Sequence, residues 1–308
     1  MSARTEWTVS ASRTLEIEEP VTTLAVRLVG GTVNVVGTSE TGPARVEVAE
    51  LHGPPVSVSC EDGTLTVGYD DLPWKGLLKF LERKGWHRDA VVSVRVPAGT
   101  RVEVGVVGAT AVVSGIAGRT ELRGVSGDST LVGLSGPVRA ETVSGSVEAQ
   151  ALTGDLTFHS VSGDLTVVEG IGGAVRAETV SGDMVLDLDP VAGAQIELNT
   201  VSGEIAIRLP DPADAEVDAN TGTGVVTNAF DDLRVTGQWG TKRITGSLGA
   251  GTGRLKATTV SGALSLLRRP ASEEPDGPTG GGPVGDSPVD GPADAPSPTT
   301  PPAGKKVL

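Results

Sequence analysis

Aromatic residues are scarce in this chain: four Trp, three Phe and one Tyr among 308 residues. A thick layered core of that length ordinarily packs around such rings. Here Val, Ala, Leu and Thr must fill the interior, which suits a thin, strand-rich body. Cysteine is nearly missing as well. The single thiol, Cys60, excludes an internal disulfide and the usual cysteine metal clusters, and it reads as a small buried apolar side chain. The three histidines, His52, His87 and His159, belong to no catalytic motif, and GxSxG, P-loop and HExxH patterns are all missing. Nucleophilic, phosphate-cradling and zinc chemistry are therefore not signalled. No run of 18 apolar residues exists, so no transmembrane helix is expected. The N-terminal stretch has no apolar signal-peptide region, so the expected compartment is the cytoplasm. Positive charge is also short. The net charge of −14 makes the chain a poor ligand for nucleic acid.

What the chain has in quantity is glycine, 43 residues, and a repeat. "VRAETVSG" occurs at 138–145 and again at 175–182. Val-Ser-Gly recurs at 125–127, 143–145, 161–163, 180–182, 201–203 and 260–262, with starts separated by 18, 18, 19, 21 and 59 residues. The last gap reads as about three further periods. Looser copies fall midway, so the unit is a nine-residue half-period used in pairs. Each unit alternates, for example Val138, Ala140 and then Val143, or Leu156, Phe158 and then Val161, or Leu165, Val167 and then Ile171, or Val175, Ala177 and then Val180. Period-two alternation marks a strand with one buried face, so these positions are expected to fill a core. Arg139, Glu141, Glu148, Gln150, Thr157 and His159 are expected to face outward. Gly after each strand marks a turn through its backbone freedom, and the preceding Ser or Thr bonds to the turn backbone. A constant period built from two short strands predicts an all-β fold, a β-solenoid of about 18–20 residues per coil, with roughly nine coils over 99–268. A sandwich of hairpins also alternates but does not demand near-identical units.

Residues 1–268 are thus expected to form the solenoid domain, with 5–70 supplying degenerate coils that cap one end. From 269 to 308 the chain is Pro/Gly/Asp-rich, holding ten of its 20 Pro, and is expected to be a disordered tail. One stretch breaks the strand pattern. In the insertion 73–89, Trp74, Leu77, Leu78 and Leu81 fall on one face of a short amphipathic helix at 73–84. Lys75, Lys79 and Arg83 lie beside them, and the segment carries five basic and two acidic side chains. Such a helix either covers an open end of the solenoid or contacts a protein partner or an anionic membrane surface. The residues singled out for that contact are Trp74, Lys75, Leu77, Leu78, Lys79, Leu81 and Trp86. Asp128, Asp164, Asp183 and Glu204 each follow a VSG and are expected to stack along one edge. Ser146 interrupts that row, and calcium needs six to eight oxygens, so solvated turn carboxylates are expected and no metal.

Strands ending in "TVSG" or "SVSGD", the segment "VSVRVPAGTRVEV" and the N-terminal "GGTVNVVG" resemble the bacterial putative-adhesin family, a β-strand-repeat domain of unknown function. The resemblance covers roughly residues 15–268. It implies a right-handed β-solenoid-like fold and brings no catalytic residues.

The expectation for function is a non-enzymatic structural or protein-interaction module, with no catalytic, cofactor-binding or metal residues and no cofactor. Its expected partner is a protein, not nucleic acid. The alternatives are a self-assembling scaffold resembling the bactofilins, which also join a short β-helix to disordered ends, a membrane-associated protein contacting lipid through helix 73–84, and a polysaccharide-cleaving β-helix. The repeats lack the exposed aromatic and paired acidic signatures that the last would carry.

Overall fold

The computed structural model describes residues 5–39, 42–69, 88–238 and 240–269. Every regular element in them is a strand. The chain opens with β1 (Thr5–Val9), β2 (Arg13–Ile17), β3 (Thr23–Leu28), β4 (Gly30–Thr38), β5 (Ala44–His52), β6 (Val56–Glu61), β7 (Thr64–Gly68) and β8 (Asp89–Pro97). The regular region follows as β9 (Arg101–Val106), β10 (Thr110–Ser114), β11 (Thr120–Gly124), β12 (Ser129–Val132), β13 (Val138–Glu141), β14 (Val147–Gln150), β15 (Leu156–His159), β16 (Leu165–Gly170), β17 (Ala174–Thr179), β18 (Met184–Leu188), β19 (Gln195–Thr200) and β20 (Ile205–Leu209). The last strands are β21 (Ala215–Thr221), β22 (Val226–Asn228), β23 (Arg234–Gln238), β24 (Thr241–Leu248), β25 (Gly253–Thr259) and β26 (Leu264–Arg268).

These strands form two long sheets. Sheet A runs β1-β6-β7-β3-β9-β11-β13-β15-β17-β19-β25-β21-β24-β23, and sheet B runs β2-β5-β8-β4-β10-β12-β14-β16-β18-β20-β26-β22. Through the regular region the chain places one strand in each sheet per period, and each strand pairs in parallel with the one a period ahead. We call such a pair of strands, one per sheet, a rung. A single apolar interior lies between the sheets. The expected inward residues Val138, Ala140, Val147, Ala149, Leu156, Leu165, Val167, Val175 and Ala177 are all buried in it.

Packing of that interior explains the doubled octapeptide. Phe158 is fully buried, and its register neighbours are Ala140 on the preceding rung and Ala177 on the following one. Each comes from a copy of "VRAETVSG". A large ring between two small side chains fills the space without a void, so the two identical strings are the two walls of one aromatic slot.

The third apolar position is buried as expected at Val125 and Leu152, but later VSG turns correct the sequence reading. Val143 is only half-buried, and Val161, Val180, Val201 and Val260 are 51, 49, 49 and 54% exposed. Ile171 is 44% exposed as well. The residue before the Val points inward instead: Thr142, Thr179, Thr200 and Thr259 are buried. Its hydroxyl accepts the amide of the Gly three residues on, as in Gly182 to Thr179 (3.2 Å), Gly203 to Thr200 (3.1 Å) and Gly262 to Thr259 (3.1 Å). Thr259 also donates to the Gly203 carbonyl (3.0 Å). A buried hydroxyl so satisfied costs little. The extended strand therefore ends at the Thr, and the backbone turns before the Val can reach the core.

The glycines need a second correction. The VSG glycines do not have the positive φ that favours glycine in turns. They are required by close approach. A Cβ on Gly145 would collide with the carbonyl of Gly127, one on Gly163 with Gly145, and one on Gly182 with Gly163. A second column, Gly118, Gly136, Gly154 and Gly172, does the same at the opposite edge.

The ends differ from the sequence expectation too. Residues 253–268 do not lie three periods beyond 201–209. Strand β25 pairs directly with β19, and β26 with β20, while β21 and β22 sit outside them. The 59-residue gap is thus an excursion, and the parallel stack over 99–268 holds eight rungs rather than nine. At that end β24 and β23 continue sheet A antiparallel. At the other end β3 and β4 form a parallel rung with β7 and β8, and the strands beyond them, β6, β1, β5 and β2, are antiparallel. The predicted helix at 73–84, with Trp74, Lys75, Leu77, Leu78, Lys79, Leu81 and Trp86, lies outside the described residues, as does the tail from 270.

Candidate interaction face

Parallel in-register stacking turns each outward sequence position into a row of side chains about 4.8 Å apart. The two sheets use those rows differently. Across the outer face of sheet A, one row runs Glu103, Glu121, Arg139, Thr157, Arg176, Glu197, Lys256 and Asp218. Only Thr157 in it is uncharged. Adjacent like charges on neighbouring strands repel, and cations bridge them. Arg101 Nη2 lies 2.9 Å from Glu103 and 3.1 Å from Glu121. Arg176 reaches Glu178 at 2.8 Å and Glu197 at 3.4 Å, and Lys256 Nζ meets Glu197 at 3.1 Å. Glu197 is accordingly held below the ordinary carboxylate range, chiefly by its bond from Lys256. Arg243 does the same for Asp218. His159, expected to face outward, has Nδ1 3.3 Å from the Glu178 carboxylate on the next rung.

The matching row on sheet B runs Ser93, Asn34, Val112, Thr130, Glu148, Thr166, Val185, Ala206 and Ser265. Glu148 is its one charge. Beside it lie Val36, Ser114, Val132, Gln150 and Val168, again without charge. Val36 and Val185 are 43% and 50% exposed. Charged residues gather at its two ends: Arg95 pairs with Val36 and is followed by Arg45 and Glu47 on the strand beyond, and at the far margin Asp187 takes bonds from Arg208 and Arg269. The bond from Arg208, reinforced by Arg269, pulls the Asp187 carboxyl below its usual value against the opposing effect of burial. Sheet B therefore presents a flat, nearly uncharged strip of small β-branched and hydroxyl side chains. Interface cores are depleted of charge in this way.

The carboxylate row after the VSG turns is exposed, as expected, yet engaged. Asp128 accepts the amide of Ser146 at 3.0 Å, Asp164 that of Asp183 at 2.8 Å, and Asp183 that of Glu204 at 2.8 Å. Each carboxylate ties its own turn to the next rung. Among the described residues no group of three or more His, Cys, Asp or Glu is placed to hold a metal ion. A cleft of about 600 Å³ lies between the β2–β3 and β4–β5 connections, and the carboxylates of Glu18 and Glu19 are the ionisable groups among its described lining residues. Among the described residues no helix is long and apolar enough to cross a membrane.

The contact residues expected from sequence all fall in 73–89, and none of them can be placed against this strip. Sequence reading missed the strip because it scored the outward positions one strand at a time, each as an ordinary solvated residue. The signal was the composition of those positions in alternate half-periods: "RAE" and "IEL" on sheet A strands, "STLV" and "LTVV" on sheet B strands.

Several solved structures are similar to this chain. A putative adhesin from Bacteroides fragilis NCTC 9343 is 11% identical with a TM-score of 0.46, covering 84% of this chain and 98% of that one. A putative lipid binding protein from Parabacteroides distasonis ATCC 8503 is 13% identical with a TM-score of 0.42, covering 84% and 97%. A putative cell adhesion protein from Clostridium sporogenes ATCC 15579 is 10% identical with a TM-score of 0.22, covering 87% and 100%. No curated protein matches. The β-strand-repeat resemblance read from the sequence meets a family model in the later part of the stack: residues 162–267, about a third of the chain, match Toastrack DUF4097.

Proposed function

We propose that the chain is a non-enzymatic β-solenoid acting as a rigid protein-interaction module, with the outer face of sheet B as its contact surface. The observation that carries this reading is the asymmetry of the two faces. Sheet A neutralises its charges pairwise across rungs, whereas sheet B leaves an uncharged strip facing solvent. Parallel stacking with carboxylates and hydroxyls tied to the neighbouring rung makes the strip rigid, so docking on it costs little ordering entropy.

The test compares two lysine substitutions at half-buried outward Thr residues. Thr166→Lys lies in the sheet B strip, and Thr157→Lys lies in the sheet A row. Proteins captured from the native cell extract by the wild-type chain should be lost with Thr166→Lys and kept with Thr157→Lys. Equal capture by both variants, or equal loss, rejects sheet B as the contact surface.

The sequence of 73–84 supports a second reading, contact with an anionic membrane through Trp74, Leu77, Leu78 and Leu81 with Lys75 and Lys79 at the headgroups. Flotation with anionic vesicles tests it. Wild type should float and the Leu77→Glu, Leu81→Glu double variant should not, and a wild type that stays at the bottom ends this version.

A further inference from the structure

We infer that the sheet B strip pairs face to face with the same strip of a second copy of this chain. The inference rests on the reading of sheet B as the contact surface and names the partner. Three features favour a second copy.

The first is area. Eight adjacent strands, β4 to β26, span about 34 Å at the usual strand spacing, and four- to five-residue strands are about 15 Å long. The strip therefore offers about 500 Å² per copy, and about 1,000 Å² when two copies meet. That reaches the lower bound for a specific interface.

The second is self-complementarity. A two-fold axis parallel to the stack reverses strand direction while keeping rungs level. Each rung then meets its own copy with its two outward positions exchanged. On the β18 and β20 rungs Asp187 and Arg208, paired with each other within each chain, face Val185 and Ala206 of the second copy. Thr130 faces Val132 of the second copy, Thr166 faces Val168, and Glu148 faces the Gln150 amide, which can donate to it. No like charges meet in those three rungs. Sheets packing this way bury small β-branched side chains about 10 Å apart.

The third is chemistry. The strip offers no cationic row for a polyanion or an anionic headgroup and no aromatic ring for a sugar. It carries what another flat, uncharged β-face can bury.

Sedimentation of the full chain from roughly 1 to 200 µM tests the proposal, because an interface near the lower size bound fits dissociation in the micromolar range. A monomer–dimer equilibrium is expected for wild type and for Thr157→Lys, and a monomer for Thr166→Lys with an unchanged thermal midpoint. A second measurement does not depend on a disruptive residue. Thr166→Cys and Val168→Cys variants, mixed with a short bis-maleimide that spans the separation of packed sheets where a disulfide cannot, should form the mixed crosslinked dimer in preference to either homodimer. A wild type that stays monomeric at the highest concentration overturns the pairing, as does a dimer that Thr166→Lys leaves intact. In that event, loss of captured protein with Thr166→Lys alone still supports the contact surface, so the two failures are distinguishable.

Discussion

Gly262 packs directly against Gly203, 59 residues earlier, so that a Cβ on the later residue would collide with the carbonyl of the earlier one. The same relationship links Gly145 to Gly127 and Gly182 to Gly163. The distance between rungs is fixed by backbone hydrogen bonding on either side, so the stack cannot open at one glycine. Gly145→Ala is therefore expected to lower stability by about 2 kcal/mol or more, through overpacking against backbone. Gly99→Ala is the control, since no atom lies within 4 Å of its built Cβ, and it should leave stability unchanged. Urea unfolding of both variants decides the matter. Equal midpoints would mean that the VSG glycines serve turn flexibility instead.

The inward Thr and outward Val of "TVSG" make opposite predictions for the same pair of side chains. Thr259→Val keeps the shape but removes the hydroxyl that accepts from the Gly262 amide and donates to the Gly203 carbonyl. Leaving buried backbone groups unpaired costs about 1–3 kcal/mol. Val180→Thr changes a side chain that is half exposed and should shift stability by less than about 0.5 kcal/mol. If Val180→Thr is the more damaging, the assignment of the two positions is reversed.

The sequence made the repeat, the all-β class and the inward strand positions legible because period-two alternation is a local property of each strand. What it hid was set by neighbours on other rungs. Val161 and Val180 look like core residues in a linear reading, yet the hydroxyls of half-buried Ser160 and buried Thr179 take the turn amides and rotate both valines outward. The place of β25 beside β19 was hidden as well, because spacing along the chain counts the excursion through 210–252 as further periods. The pairing of an uncharged strip with a charged opposite face became visible only once alternate strands were assigned to different sheets.

Asp187 should make the stack acid-sensitive. Its carboxyl is held below the usual range by the bond from Arg208, with Arg269 adding to it and burial opposing. A carboxylate whose folded value is depressed contributes stability that is fully present above its unfolded value, about pH 4, and is lost as pH falls through the folded value. Asp187→Asn should therefore be less stable than wild type at pH 7, and the difference should shrink below about pH 4. Urea midpoints at neutral and acid pH measure it. A difference that stays constant down to acid pH would show that Asp187 acts through shape alone.

Cys60 should be nearly inert in the folded chain. Its thiol is pushed up to about 11, first by burial and then by the hydrogen bond and negative charge of Glu19. Thiolate is the reactive form, and a rise from the ordinary value near 9 to about 11 lowers its fraction at neutral pH about 100-fold. Burial of Cys60 in the apolar cluster slows access further. Iodoacetamide should label native protein at least about 100-fold more slowly than protein in urea. Glu19→Gln removes the adjacent charge and should speed native labelling several-fold without reaching the unfolded rate, because the larger cause, burial, remains. Native labelling as fast as in urea would show that the N-terminal strands β1 and β6, which pair Thr5 with Cys60, open readily, and would place the stable part of the stack further along the chain.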